Sequence, residues 1–360
     1  MIPQVKKFAK RSKAMIITYH IYDNWQLKKQ FNSGKVESSC GSTHSKIPLS
    51  ESLDYINSVF NDYLKYSHIP TQVIRNKKIL EIGSGDNFGV ALKFLIAGAL
   101  EVVCLDKFYS KRDPEHQYKI YQAMRKNLDN DSKQRFDDAI NLSNGIEINP
   151  EKLKYIYGKG IEEAEKLFNP SSFDFIVSRA VLEHLYDSDA AFSVMDNLLT
   201  PGGYMIHKID FRDHKIFTAQ GMHPLTFLTI HDPIYRLMTI NSGKPNRKLI
   251  NYYKNKLYEL KYCADIYIIR ILGENSEIFP HKKNIELGID YFESTISLIN
   301  KIRSKLIANF RNMPEEDLII SGIFLTAIKP NPDKSETKRQ GSIKSGNERI
   351  DDMVKICKDV

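Results

Sequence analysis

The tightest grouping of chemically capable residues in this chain is a glycine loop set among acids. Ile79-Leu80-Glu81-Ile82-Gly83-Ser84-Gly85-Asp86-Asn87-Phe88-Gly89 lies where a short apolar strand should hand over to a helix. Gly83 and Gly85 let the backbone turn sharply, and they let a ligand approach it, and Ser84 between them, with no Cβ in the way. The spacing is G-x-G-x-x-x-G, not the dinucleotide pattern G-x-G-x-x-G. Glu81 on the strand and Asp86 in the loop would repel a pyrophosphate at the helix start. They would hold a ligand carrying an ammonium and a sulfonium. Unit charges ~4 Å apart attract by about 1 kcal/mol in water and several times that in a partly buried cleft. Asp106, followed by Lys107, ends the next apolar run, about 20 residues on, where a carboxylate can accept both hydroxyls of a ribose. Each piece also has a plain reading: Gly83 as a turn, Glu81 as a buried paired acid, Asp106 as a helix cap. Their coincidence in this order favours a ligand site.

With Phe173-Asp174-Phe175-Ile176-Val177-Ser178, Leu182-Glu183-His184-Leu185 and Pro201-Gly202-Gly203, these residues resemble the class I S-adenosylmethionine-dependent methyltransferases over roughly residues 78 to 210. The resemblance implies S-adenosyl-L-methionine as cofactor. It places the glycine loop against the methionine part and Asp106 at the ribose. It also puts Gly158-Lys159-Gly160-Ile161-Glu162 beside the adenine, with Ile161 or Glu162 as the neighbour. This stretch departs from the commoner Gly-Asp-Ala pattern. Asp210-Phe-Arg-Asp-His214 and Gly221-Met-His-Pro-Leu-Thr-Phe-Leu-Thr229 resemble a bacterial branch of the family associated with surface-glycan genes.

Methyl transfer is an in-line displacement, so the protein must align the acceptor and, for a hydroxyl, remove its proton. In doubly wound sheets the ligand lies beyond the carboxyl ends of the strands. The residues there are Asp106, Ser178 to His184, and Asp210 to His214. His214 is the first candidate base, with Asp210 and Asp213 near in sequence to orient it. His184 is the second, or else a wall of the cofactor pocket. Asp210, Asp213 and His214 could instead ligate a divalent cation, although no metal is assigned. The bland reading is that Asp213 caps a turn and pairs with Arg212. His207, inside a strand, reads as a satisfied buried histidine. His223 and His231 could line an acceptor pocket beside Tyr235 and Arg236.

The elements that must position these residues alternate in type. Short apolar strands at 79–82, 102–105, 154–157, 173–178 and 204–209 are separated by helical stretches at 88–97, 118–128 and 190–199. This argues for an α/β fold with a doubly wound, seven-stranded, mostly parallel sheet, the class I methyltransferase fold. The last strand, 318–328, is expected antiparallel at the edge. An N-terminal helical cover begins with a helix at 50–66. Residues 1–49 read as an irregular leader or flap and 50–330 as the methyltransferase domain, with insertions at about 211–245 and 273–317. A helix is expected at 246–260, a strand at 266–272, a long helix at 290–310, and a disordered polar tail at 331–360.

Hydrophobic residues at 42% and charged residues at 27% suit a soluble globular chain. No apolar run is long enough to span a bilayer or to make a signal peptide, so a cytoplasmic location is expected. Cys40, Cys104, Cys263 and Cys357 are isolated, which suggests neither zinc nor structural disulfides. The net charge of +8 gathers at Lys6, Lys7, Lys10, Arg11 and Lys13 and again at Lys329, Lys334, Lys338, Arg339 and Lys344. This reads as a solvated basic fringe rather than a nucleic-acid surface. The lesser reading is weak peripheral contact with an acidic membrane. The expected partner is a small-molecule or glycan acceptor, O-methylated on a hydroxyl. Lipid, quinone and amine acceptors are the rivals, and a non-catalytic binding protein of the same fold is more remote. Oligomeric state is not legible.

Overall fold

In a computed structural model of the chain, residues 12–32, 37–38 and 44–331 are described. The central sheet has strands β1 (Lys78–Ile82), β2 (Glu101–Asp106), β3 (Leu153–Tyr157), β4 (Phe173–Arg179), β5 (Leu199–Asp210), β6 (Cys263–Ile271) and β7 (Ile320–Ile328). Their spatial order is β3-β2-β1-β4-β5-β7-β6. The first five run parallel, and β7 is antiparallel to both of its neighbours. The helices are α1 (Lys13–Asn32), α2 (Leu49–Ser67), α3 (Gly89–Ile96), α4 (Pro114–Lys126), α5 (Asn130–Ala139), α6 (Ser188–Leu198), α7 (Asp232–Thr239), α8 (Ile250–Glu259), α9 (Glu293–Arg303), α10 (Ala308–Arg311) and α11 (Glu315–Ile319).

Period-two alternation on the strands builds a core on each face of the sheet. Leu80, Ile82, Val103, Leu105 and Ile176 face α6. Ile79, Val102, Cys104, Phe175 and Val177 face α2 and α3. Helix α2 carries Ile56, Val59, Phe60, Tyr63 and Tyr66 on one buried stripe and stops at His68, whose φ of 54° is left-handed. Each fully buried Leu, Ile or Phe contributes roughly 1.5–3 kcal/mol. These layers hold rigid the carboxyl ends of β1, β2 and β4, where strand order reverses and a crevice must open.

Several expectations are corrected here. The last strand is not at the edge: β7 lies between β5 and β6. Almost all of β7 is buried, as befits a strand covered on both faces, whereas β6 is half-buried along most of its length. The leader, read as irregular, contains the 20-residue helix α1. The long helix at 290–310 is broken into α9 and α10, and α5, capped by Asp129, falls where none was expected. Pro201-Gly202-Gly203 lies inside β5, which absorbs it as a register shift against β4. Cys263 is disulfide-bonded, while Cys104 is free and buried. Spacing cannot show such pairing, because a disulfide requires Cα atoms within about 7 Å and only the fold sets that. Residues 332–360, read as the tail, lie outside the described residues.

Candidate active site

A cavity of 870 Å³ opens over the carboxyl ends of β1, β2 and β4 and is lined by Gly83, Ser84, Gly85, Asp106, Ile161 and His214 among others. Gly83 is required twice over. Its φ is +81°, and a Cβ there would stand 2.4 Å from Val181 Cγ2. Gly85 is also left-handed, at 68°.

Asp106 is buried at the cavity wall and accepts a 2.8 Å hydrogen bond from Ser84 Oγ. Burial pushes its carboxyl up to about 6, against the pull of Ser84 and of the Arg112 guanidinium. Glu81 lies one residue behind the lining, beside Cys104 Sγ at 3.6 Å, and burial with the nearby Asp106 pushes it up to about 8. Two crowded acids and a glycine cradle fit a ligand that brings positive charge and ribose hydroxyls.

The other expected contacts divide. Ile161 and Glu162 both line the cavity, and Glu162 Oε1 accepts from Tyr186 N at 3.2 Å. Lys107 also lines it, with Nζ 4.2 Å from the centre of the Tyr186 ring. Asp86 lines the cavity too, but its carboxylate accepts the backbone N–H groups of His44 and Ser45 at 3.3 and 3.0 Å. It therefore clamps the chain entering α2. Ser178 is not in the lining at all. It is fully buried and shares a 2.8 Å hydrogen bond with His207 Nδ1.

His207 is thus bonded at one nitrogen only; Nε2 has no partner, and burial pushes the ring down to about 3. Ser178→Ala should cost about 1–3 kcal/mol by leaving that imidazole wholly unpaired. Donor affinity should stay unchanged, read by urea unfolding beside calorimetric titration. A loss of affinity at intact stability would return Ser178 to the cofactor site.

The segment after β5 is rearranged most. Asp213 is buried and accepts from Lys215 N (3.1 Å), Phe217 N (2.7 Å), Thr218 N (2.8 Å) and Thr218 Oγ1 (2.7 Å). It caps the turn and does not orient His214. Arg212 pairs with Asp210, not with Asp213. The cap holds His214 and Lys215 at φ of 48° and 65°, consecutive left-handed conformations that cost on the order of 1–3 kcal/mol each in non-glycine residues.

That turn brings the His214 side chain, 29% exposed, to 3.9 Å from Asp210 Oδ1. Its ring meets the His184 ring edge to face at 4.7 Å. Burial lowers the His214 imidazole and Asp210 partly restores it. His184 is driven to about 3, first by burial and then by His214. Burial would raise Asp210, but Arg212 holds it at about 2, and Arg270 Nη1 adds a second contact at 3.1 Å.

Sequence reasoning gave no role to Glu183. It is buried, its Oε1 accepts from Asp210 N at 3.2 Å, and its Oε2 has no hydrogen-bond partner. Glu183, His184 and His214 bring one ligand atom each within 4.8 Å of one another, the trio among the described residues that could hold a cation. Helix α1 was missed too, since its segment read as irregular, yet His20, Asp23 and Leu27 line the cavity. His223 is tied to backbone through both ring nitrogens (Nε2 to Leu298 O at 3.0 Å, Nδ1 to Leu225 N at 3.1 Å), and neither it nor the exposed His231 lines the cavity.

A family model described as methyltransferase domain matches residues 62–256. No curated protein matches the chain. Among solved structures, phosphoethanolamine N-methyltransferase 2 of Haemonchus contortus with S-adenosyl-L-methionine is similar at 14% identity and a TM-score of 0.39. That match covers 77% of this chain and 53% of the Haemonchus contortus enzyme, about half its length. The YcgJ protein of Bacillus subtilis is similar at 12% identity and a TM-score of 0.38, covering 76% of this chain and 99% of its own. An S-adenosylmethionine-dependent methyltransferase from Mesorhizobium loti follows at 13% and 0.36, covering 76% and 99%.

Proposed function

Because this chain belongs to the methyltransferase-domain family, we propose that it takes S-adenosylmethionine as its methyl donor and O-methylates a sugar or a related hydroxylated metabolite beside His214. The observation that carries the reading is the position of His214 in the wall shared by two cavities. One is the 870 Å³ space over the glycine loop; the other, of 580 Å³, lies beyond β5. The second has hydrogen-bonding side chains, among them Thr218, Asn275, Ser276 and Ser321, over apolar Phe211 and Leu225. That mixture suits a ring bearing several hydroxyls.

When bound, the donor supplies a methyl group on a cationic sulfur that is already a good leaving group. The chain's part is to hold and deprotonate. Gly83, Gly85 and Asp106 cradle the donor, and His214 takes the acceptor's proton. Asp210, 3.9 Å away, steadies the resulting imidazolium. His184 stays neutral at about 3, so no second positive charge opposes that proton.

The test offers the purified chain labelled donor with paired hydroxylated and amine acceptors. Label should enter methyl ethers of the hydroxylated set and be indifferent to a chelator. Label confined to amines overturns the reading. Loss with chelator and recovery with manganese would make Glu183, His184 and His214 a cation site, with a metal in place of the base.

A further inference from the structure

We propose that the outer face of α1, together with α7, docks on an anionic lipid bilayer and places the roof of the donor cavity at the membrane surface. The inner side of α1 is accounted for. His20, Asp23 and Leu27 line the cavity, Ile16 and Asn24 are buried, and Asn24 Nδ2 donates to Leu237 O of α7 at 2.8 Å. The outer side carries Met15, Tyr19, Tyr22 and Trp25, exposed by 42–51%. Their spacing of four, three and three residues is one stripe of a helix. Helix α7 and the residue after it add exposed Ile234, Leu237 and Ile240. An apolar and aromatic surface of this kind, on helices already packed at their backs, marks an interaction site.

Charge selects the partner. Lys28 and Lys29 of α1 and Arg236 of α7 are exposed, while Lys13 turns to the other side and donates to Thr229 Oγ1. The carboxylates of the two helices are Asp23, paired with Lys244 at 3.0 Å, and Asp232, paired with Arg247. Lys29 Nζ stands 3.7 Å from the centre of the Trp25 ring, an amphipathic pair of the kind found at the headgroup level. Among the described residues no helix is long and apolar enough to cross a membrane, so α1 would lie on the bilayer. A neutral protein partner would leave this basic rim unmatched, whereas phosphatidylglycerol headgroups match it. The docking stands on this surface alone and does not depend on which acceptor is methylated.

Trp25 is the chain's only tryptophan and reports the contact directly. The full-length protein should show a blue-shifted emission, and co-sediment, with phosphatidylcholine vesicles containing phosphatidylglycerol but not with phosphatidylcholine alone. High salt should reverse both. The double variants Lys28→Glu/Lys29→Glu and Tyr19→Ser/Tyr22→Ser should each lower partitioning at least tenfold at unchanged melting temperature. Absence of any shift or sedimentation with the anionic vesicles overturns the proposal. So does a blue shift without vesicles that grows with protein concentration alongside a dimer mass, since a second copy then covers the face.

Discussion

His214→Ala is expected to lower turnover by ~10²–10⁴ while affinity for S-adenosylhomocysteine stays near wild type, the loss typical when a positioned base is removed. The imidazole works only when unprotonated, so the rate must fall as pH drops through its pKa. Burial lowers that pKa, with Asp210 opposing, so the acidic limb should lie below the free-imidazole value of about 6.5. The variant should lose the limb as well as the rate. A His214→Ala enzyme with wild-type turnover, or slow turnover with the limb intact, would remove His214 from the chemistry and leave His184. The burial of His184 keeps it unprotonated but turns its Nδ1 to a place where it has no partner.

Asp106→Ala should weaken S-adenosylhomocysteine binding tenfold or more, about 1.4 kcal/mol or above, by removing the charged acceptor for two ribose hydroxyls. Ser84, which donates to that carboxylate at 2.8 Å, loses its acceptor in the same variant. Ser84→Ala measured alongside therefore separates the ribose contact from the loop's own hydrogen bond. Because Asp106 sits at about 6 in the ligand-free chain, a cationic donor that needs it ionised should bind more tightly as pH rises through about 6. That rise near pH 6 should vanish in Asp106→Asn. Calorimetric titration across pH 5 to 8 reads both, and flat wild-type affinity with unchanged Asp106→Ala binding would sink the ribose assignment.

What was readable in the chain alone were features whose cause is local. The strand-to-helix turn at Gly83, the acid ending β2 and the alternation of short apolar strands with helices all depend on neighbours within a few turns. So does the turn-capping tendency of Asp213. The site's outline and the fold class followed from these.

Tertiary structure decided which of the candidate groups are free to act, because their partners come from far along the chain. Asp86 is taken by the backbone of His44 and Ser45 and Ser178 by His207, whereas Asp210, held by Arg270 of β6, stays within 3.9 Å of His214. Local spacing could not tell Asp210 from Asp213, nor foresee that His184 and His214 would meet across 4.7 Å. The place of β7 was decided the same way: an apolar run says that a strand is buried, and only pairing on both sides says where. The roof is the extreme case. The sequence of α1 sets its aromatic residues among charged ones on no clean inward-facing apolar period, so its helix and its seat over the cavity become definite only where α7 receives Asn24.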